Sequence, residues 1–364
     1  MMKALTYLKP GVIRWQNVAK PKLLKSTDVI GKLVATTICG SDLHIIKGDC
    51  PESTVIAENN PGRGLILGHE GIIKVKEVGS DVKKFKPGDV CIVSCITSCG
   101  SCYYCKNDLQ AHCMNSEGTS GWILGHEIDG TQAEYMRVPF ADYSMYKAPK
   151  GISNDSLLML SDILPTSYEV GVISGQVKEG DTVAIVGLGP VGLSALIGAK
   201  ALNPKEIIAI DMDDARLEVA KKLGATKTVN PSKTDAVAFV MENTKSADKK
   251  PGVDVAIECV GVPATFEMCE DLIGPGGAVA NVGVHGKPVS LKLQDLWIKN
   301  IKITTGLVSA YSTADLLHKV IKGDLDPSPL VSHHFKMNEF EHAYDIFKNA
   351  SANNAIKMVL TNDN

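Results

Sequence analysis

Cys99, Cys102, Cys105 and Cys113 form a C-x2-C-x2-C-x7-C run, and no other feature of the chain constrains it as tightly. Four thiolates at this spacing can close a tetrahedron around Zn²⁺ within one short lobe, without ligands from elsewhere. Buried cysteines that act as small hydrophobes are scattered through a core and do not recur at every third position of a Gly- and Ser-containing loop. Disulfides across two-residue loops strain their own geometry. The run therefore predicts a closed Cys₄ zinc site. It is structural, because four protein ligands leave no coordination position for a substrate.

With 364 residues the chain is long enough for two or three domains with real cores. Its formal net charge of -3 leaves no basic footprint for nucleic acid. The longest apolar stretch, Val183 to Ala199, is too short for a membrane span and is broken by four glycines and Pro190. The N-terminal Met1-Met2-Lys3-Ala4-Leu5-Thr6-Tyr7 carries no apolar export signal. Ten cysteines then imply reduced thiols and metal ligation, and a cytoplasmic location is expected.

The first 150 residues read as β-rich, with turn signals such as Lys86-Pro87-Gly88-Asp89 feeding Val90-Cys91-Ile92-Val93. Beyond Val177 the pattern alternates. Strands are expected at Thr182–Val186, Glu206–Ile210, Val253–Glu258 and Ala278–Val282, and helices at Leu193–Leu202 and Asp214–Leu223. Such alternation argues for α/β architecture with a parallel, doubly wound sheet. A helix over Glu339–Lys348 and a closing strand at Lys357–Leu360 complete the reading.

Gly187-Leu188-Gly189-Pro190-Val191-Gly192 follows a predicted strand and opens a helix, the context in which GxGxxG signifies dinucleotide binding. Gly187 suits the tight turn, Gly189 the approach of a pyrophosphate, and Gly192 close helix–sheet packing. Asp211, at the end of the next strand, is placed to hydrogen-bond ribose hydroxyls and to repel a 2′-phosphate. Neither Met212 nor Asp213 is a cation that offsets it, which favours NAD over NADP.

Cys39-Gly40-Ser41-Asp42-Leu43-His44 and Gly68-His69-Glu70 hold a thiolate and an imidazole far apart in sequence. A catalytic zinc takes three such dispersed ligands and keeps one position open. Together with the four-cysteine lobe, the Gly187 fingerprint and Lys357-Met358-Val359-Leu360, these motifs resemble the zinc-dependent medium-chain alcohol dehydrogenases over essentially the whole chain. The resemblance implies a GroES-like catalytic domain, residues 1–163 and 306–364, interrupted by a Rossmann coenzyme domain, residues 164–305, with the active site in the cleft between them. It maps Cys39, His69 and Asp162 onto the catalytic zinc ligands, and Asp162 in that place is similar to the microbial secondary alcohol dehydrogenases and the zinc-dependent formaldehyde dehydrogenases. Glu70 matches a position beside the metal. Ser41 and His44 match a proton relay, Thr166 a contact to the nicotinamide, and Gly261 and Gly283 places where backbone lies close to the cofactor. Trp122, in Gly121-Trp122, is similar to a pocket-lining residue.

Gly125-His126-Glu127 repeats the Gly68-His69-Glu70 tripeptide. Its place beyond the cysteine lobe marks His126 as a non-ligand, and His333-His334 reads as solvated surface. Twenty-nine residues separate Cys39 from His69, which predicts an enlarged polar loop there. The expectation is a two-zinc, NAD-dependent homodimer or homotetramer acting on a small or medium, preferably secondary, alcohol or ketone. A polyol, butanediol or formaldehyde dehydrogenase would use the same residues. A zinc-ribbon module for nucleic acid is disfavoured by the charge. A non-catalytic nucleotide-binding relative is disfavoured by the intact Cys39, His69 and Asp162.

Overall fold

The computed structural model describes residues 1–362, which form two compact units. One contains Met1–Asp162, Ser309–Lys322 and the chain from Val331 onward; the other contains Ile163–Val308 and Gly323–Leu330. The division thus falls at 162/163 and 308/309, beside the expected 163/164 and 305/306. Asp162 stays with the catalytic unit because Ser161 is tied into it: Ser161 O accepts from Cys95 N at 2.9 Å and Ser161 Oγ donates to Gly71 O at 3.4 Å. Gly323–Leu330 joins the coenzyme unit, where Ser328–Leu330 packs on the helix Pro190–Lys200.

The catalytic unit is built on β-sheet. Its larger sheet runs in the order Val331–Lys336, Lys357–Thr361, Val29–Thr37, Gly71–Val78, Val90–Val93 and Met145–Lys147, with Tyr135–Val138 also pairing to Val29–Thr37. All its pairings are antiparallel except Val331–Lys336 with Lys357–Thr361. A smaller antiparallel sheet joins Val12–Val18, Met2–Lys9 and Leu65–Ile66. Leu5, Leu33 and Ile73 sit in the core of this unit together with Phe340 and Tyr344 of the helix Phe340–Lys348.

The coenzyme unit is a six-stranded parallel sheet in the order Lys227–Val229, Glu206–Ile210, Thr182–Val186, Val253–Glu258, Ile273–Asn281 and Lys302–Thr305. Strand order therefore reverses between Thr182–Val186 and Val253–Glu258, the switch point at which doubly wound sheets bind nucleotides. Thr182–Val186 is buried throughout, as a strand covered on both faces should be.

The strand expected at Ala278–Val282 begins earlier, at Ile273, and ends at Asn281. Two further expectations need correction. The helix after the glycine-rich turn starts at Pro190, not Leu193, because proline's fixed φ and missing N–H suit the first helical position. The interval between Cys39 and His69 is not an extended loop. It folds into two helices, Gly40–Lys47 and Pro51–Glu58, with a tight left-handed Gly48 closing the first and Pro51 opening the second.

Candidate active site

Cys39 precedes the helix Gly40–Lys47, whose Asp42 reaches back so that Cys39 N donates to Asp42 Oδ2 at 2.9 Å. His69 and Glu70 lie immediately before the strand Gly71–Val78. These elements and the Ser161 anchor bring Cys39, His69, Glu70 and Asp162 together, with one ligand atom of each within 4.8 Å of the others. His69 Nε2 is 3.2 Å from Asp162 Oδ2, and Cys39 Sγ is 3.7 Å from the same oxygen. A tetrahedral zinc, with bonds of about 2.0 Å to N or O and about 2.3 Å to S, separates its donors by about 3.3 Å (N···O) and about 3.5 Å (S···O). The triad fits that figure. Burial alone would lower the His69 pKa, but the Asp162 carboxylate and Cys39 outweigh it and hold it well above the usual imidazole value. The same negative potential favours a divalent cation at that point.

Several groups close around the triad. Lys357 Nζ donates to Glu70 Oε1 at 2.5 Å and to Ile38 O at 3.2 Å. Burial would pull the Lys357 pKa down, yet the Glu70 carboxylate raises it, so the ammonium stays charged. Asp42 lies 3.9 Å from His69 Nδ1 through Oδ1, while its Oδ2 accepts from Gln132 Nε2 at 3.1 Å. Gln132 Oε1 in turn accepts from Tyr344 OH at 3.0 Å. At 3.9 Å neither His69 Nδ1 nor Asp42 Oδ1 has a hydrogen-bond partner among the described residues, so Asp42 acts on the ring through its charge. Asp42, Gln132 and Tyr344 escaped the sequence reading, since isolated polar residues carry no spacing signal; only Asp42, three residues after Cys39, could have been noticed as a helix-capping side chain.

Ser41 Oγ is buried and has no hydrogen-bond partner among the described residues, as expected of a hydroxyl that awaits a ligand. His44, one turn further along the same helix, is exposed and pairs with Asp49 at 2.9 Å. Trp122 stands edge-on to His69, with ring centroids 5.9 Å apart, and its other neighbour is the stacked ring of His126 at 4.0 Å. His126 lies outside the Cys39 cluster and sits with Cys50 and Glu52. His334 is exposed and faces Asp155 at 2.9 Å.

The cysteine lobe is as compact as its spacing predicts. Cys102 and Cys105 sulfurs are 3.5 Å apart and those of Cys99 and Cys105 4.0 Å, near the edge of about 3.8 Å in a tetrahedral Zn–S₄ unit. Burial opposes ionisation of Cys99, but hydrogen bonds from Ser101 and Asn115 prevail and hold its thiol at about 5. Glu117, just beyond Cys113, pairs with Arg137 at 2.5 Å, and Arg137 also reaches the buried Asp28 at 3.0 Å.

In the coenzyme unit Gly187 has φ 91°. A Cβ on Gly192 would meet Gly187 O at 1.8 Å, whereas one on Gly189 would meet nothing within 4 Å. The turn thus presents open backbone at the N-terminus of Pro190–Lys200, where amides and helix dipole suit a pyrophosphate. Asp211 Oδ2 accepts from Leu188 N at 2.6 Å, and Arg216 lies 4.0 Å from Asp211 and 3.9 Å from Asp213. Gly261 and Gly283 pack on one another: a Cβ on Gly283 would lie 2.2 Å from Gly261 N. Thr166 ends the short helix Ile163–Thr166 and is half-buried.

Residues 25–150 match the alcohol dehydrogenase GroES-like domain, and residues 190–322 match the zinc-binding dehydrogenase family. An alcohol dehydrogenase of Cupriavidus necator is 33% identical over 96% of each chain. Zinc-dependent alcohol dehydrogenase 2 of Streptococcus pneumoniae is 48% identical, with a TM-score of 0.90 over 100% of this chain and 99% of that one. An E. coli alcohol dehydrogenase solved in complex with NADH is 25% identical, with a TM-score of 0.86 over 99% of each chain. Matched in both halves and aligned end to end with these relatives, the chain belongs to the zinc-type alcohol dehydrogenases, oxidoreductases that act on alcohols.

Proposed function

We propose that this enzyme interconverts small or medium secondary alcohols and ketones with NAD(H), on a zinc held by Cys39, His69 and Asp162. The observation that carries the reading is the Cys/His/carboxylate triad with the unpartnered Ser41 hydroxyl and the Trp122 ring beside it. When bound, the zinc would supply Lewis acidity for the alcohol oxygen and NAD would supply the hydride acceptor. Ser41 Oγ takes the alcohol proton through a hydrogen bond, and the exposed His44 delivers it to solvent with Asp49 as its partner. Glu70, neutralised by Lys357, keeps a carboxylate next to the metal without adding net charge. Trp122 forms a wall that selects substrate shape. Cys99, Cys102, Cys105 and Cys113 hold a second, structural zinc.

Gly187, Gly189 and Gly192 cradle the pyrophosphate, and Asp211 binds the ribose. Thr166 contacts the nicotinamide side, and Gly261 and Gly283 keep the later turns compact. Asp211 and Asp213 occupy the charge of Arg216, which supports NAD over NADP. A homo-oligomer is supported by the edge strand Lys302–Thr305 and its surroundings, where Leu293, Val284, Trp297 and Ile298 are all exposed. Among the described residues no helix is long and apolar enough to cross a membrane. Clustered thiols suited to holding zinc work only when reduced, which supports a reducing, cytoplasmic setting.

Initial rates for primary alcohols, 2-alkanols, vicinal diols and formaldehyde, each with NAD and NADP, test the reading. The highest kcat/KM is expected for 2-alkanols with NAD. Faster diol or formaldehyde turnover would replace the secondary-alcohol assignment. Absence of turnover in a protein carrying zinc would remove it.

A further inference from the structure

A second Cys/His/carboxylate set lies outside the triad. Cys50 caps the helix Pro51–Glu58, Glu52 stands in its first turn, and His126 comes from the turn after Trp122. One ligand atom from each falls within 4.8 Å of the others. We propose that Cys50, Glu52 and His126 form a third metal site, for a divalent ion of the zinc class.

The donors are oriented for it. His126 is 5% exposed, and its Nδ1 is 3.0 Å from Trp122 O. A carbonyl can only accept, so Nδ1 carries the proton and Nε2 is left to face Cys50 and Glu52. Ligating histidines are held in this way by a carbonyl on the far nitrogen. Nε2 is 2.6 Å from Glu52 Oε1, closer than the spacing of about 3.3 Å between N and O donors on a tetrahedral zinc, so the half-exposed Glu52 draws back as the ion replaces the proton between them. Ser53 Oγ donates to His126 O at 2.7 Å and fixes the helix to the turn from a second direction. Thiolate, imidazole and carboxylate together suit zinc better than calcium or magnesium. The Glu52 side chain is 43% exposed, which gives the ion a route in and water as a fourth ligand.

The site offers three protein ligands, one of them an exposed carboxylate, whereas the cysteine lobe offers four clustered thiols, so the ion is held less tightly here than in the lobe. Its occupancy locks the helix Pro51–Glu58 onto the ring that stacks on Trp122. If Trp122 is the pocket wall, as proposed above, zinc supply then adjusts substrate handling without touching Cys39, His69 or Asp162.

The zinc-loaded enzyme, dialysed at low-micromolar free Zn²⁺, is expected to take up one more equivalent per chain than C50S or E52Q dialysed alongside it. Co²⁺ added to the zinc-loaded protein should raise a near-ultraviolet sulfur-to-metal absorption. C50S should lose that band, C39S should keep it, and affinity in E52Q should fall by at least about tenfold. C50S should retain the basal rate without added metal. No extra equivalent in the wild type, or an equal extra equivalent in both C50S and E52Q, overturns the proposal. Because the readout is stoichiometry and absorption, it stands or falls separately from the alcohol specificity.

Discussion

Lys357 and Glu70 form an ion pair of 2.5 Å in which each side chain is 1% exposed. The lysine comes from the closing strand and the glutamate from the segment that supplies His69, so the pair binds a remote part of the chain to the proposed zinc ligands. Burial already pushes the Glu70 carboxyl up to about 7 against the pull of Lys357, so removing Lys357 makes Glu70 lose its cation and take up a proton at a cost in stability. Lys357→Met is expected to cost about 3–5 kcal/mol in urea unfolding. Lys357→Met combined with Glu70→Gln should recover most of that loss, and full additivity of the two changes would show that they do not interact.

In the proposed coenzyme site, Asp211 acts through its own charge and through Arg216, which lies 4.0 Å away. Asp211→Gly removes a ribose acceptor worth about 1.5–3 kcal/mol and releases the guanidinium toward a 2′-phosphate. The ratio of kcat/KM for NAD over NADP should fall by at least about tenfold. Adding Arg216→Ala should abolish the gain with NADP while leaving the loss with NAD.

The two proposed zinc sites should separate by mutation. Cys102→Ser is expected to lower the tightly bound zinc from two ions per chain to one and to reduce Tm, while residual activity follows the fraction still folded. Cys39→Ala should lose one zinc and essentially all alcohol oxidation, with a far smaller change in Tm. Metal analysis with thermal unfolding distinguishes the outcomes, and equal effects on both readouts would contradict the division of roles.

The cysteine lobe is tied down by Glu117, and this predicts acid sensitivity. Burial would raise the Glu117 pKa, but Arg137 and Lys25 prevail and hold it below the ordinary carboxylate value. A depressed pKa in the folded state means that its stabilisation is complete above the unfolded value and is lost as pH falls through the folded one. Glu117→Gln is expected to destabilise the protein by about 2 kcal/mol at neutral pH. The gap to wild type should close as pH drops below the ordinary glutamate range. A pH-independent difference in unfolding free energy would rule out the charge as its cause.

Much of the coenzyme half was legible because local and global signals agree there. Thr182–Val186, Glu206–Ile210, Val253–Glu258 and Asp214–Leu223 occupy the residues that their hydrophobic runs, glycines and capping aspartates indicate. The cysteine lobe was legible for the same reason, since its ligands are neighbours in sequence. Cys39, His69 and Asp162 were not: spacing alone left each an ordinary residue, and only the family resemblance gathered them. The two helices between Cys39 and His69 stand where the length and the polar, Gly- and Pro-bearing character of the segment indicate a loop. The weaker signal, Pro51 as a first helical residue followed by Glu52, was present. His126 lies outside the Cys39 cluster, as its place beyond the cysteine lobe indicates, but the donor types gathered around it in space are not legible from the repeated tripeptide.

The strand carrying Lys357 lies inside its sheet, paired on one side with Val331–Lys336 and on the other with Val29–Thr37. This placement has a consequence for biogenesis. A chain growing from its N-terminus lays down Cys39, His69 and Asp162 long before the strand that neutralises Glu70 has been made. The nucleotide-binding half can fold while still attached to the ribosome, but the metal-binding half has to wait for its central seam to be closed. A ribosome that stalls before residue 357 would therefore leave a competent nucleotide binder joined to an open, thiol-rich sheet. The surroundings of the proposed catalytic zinc are therefore complete only once residue 357 has been made.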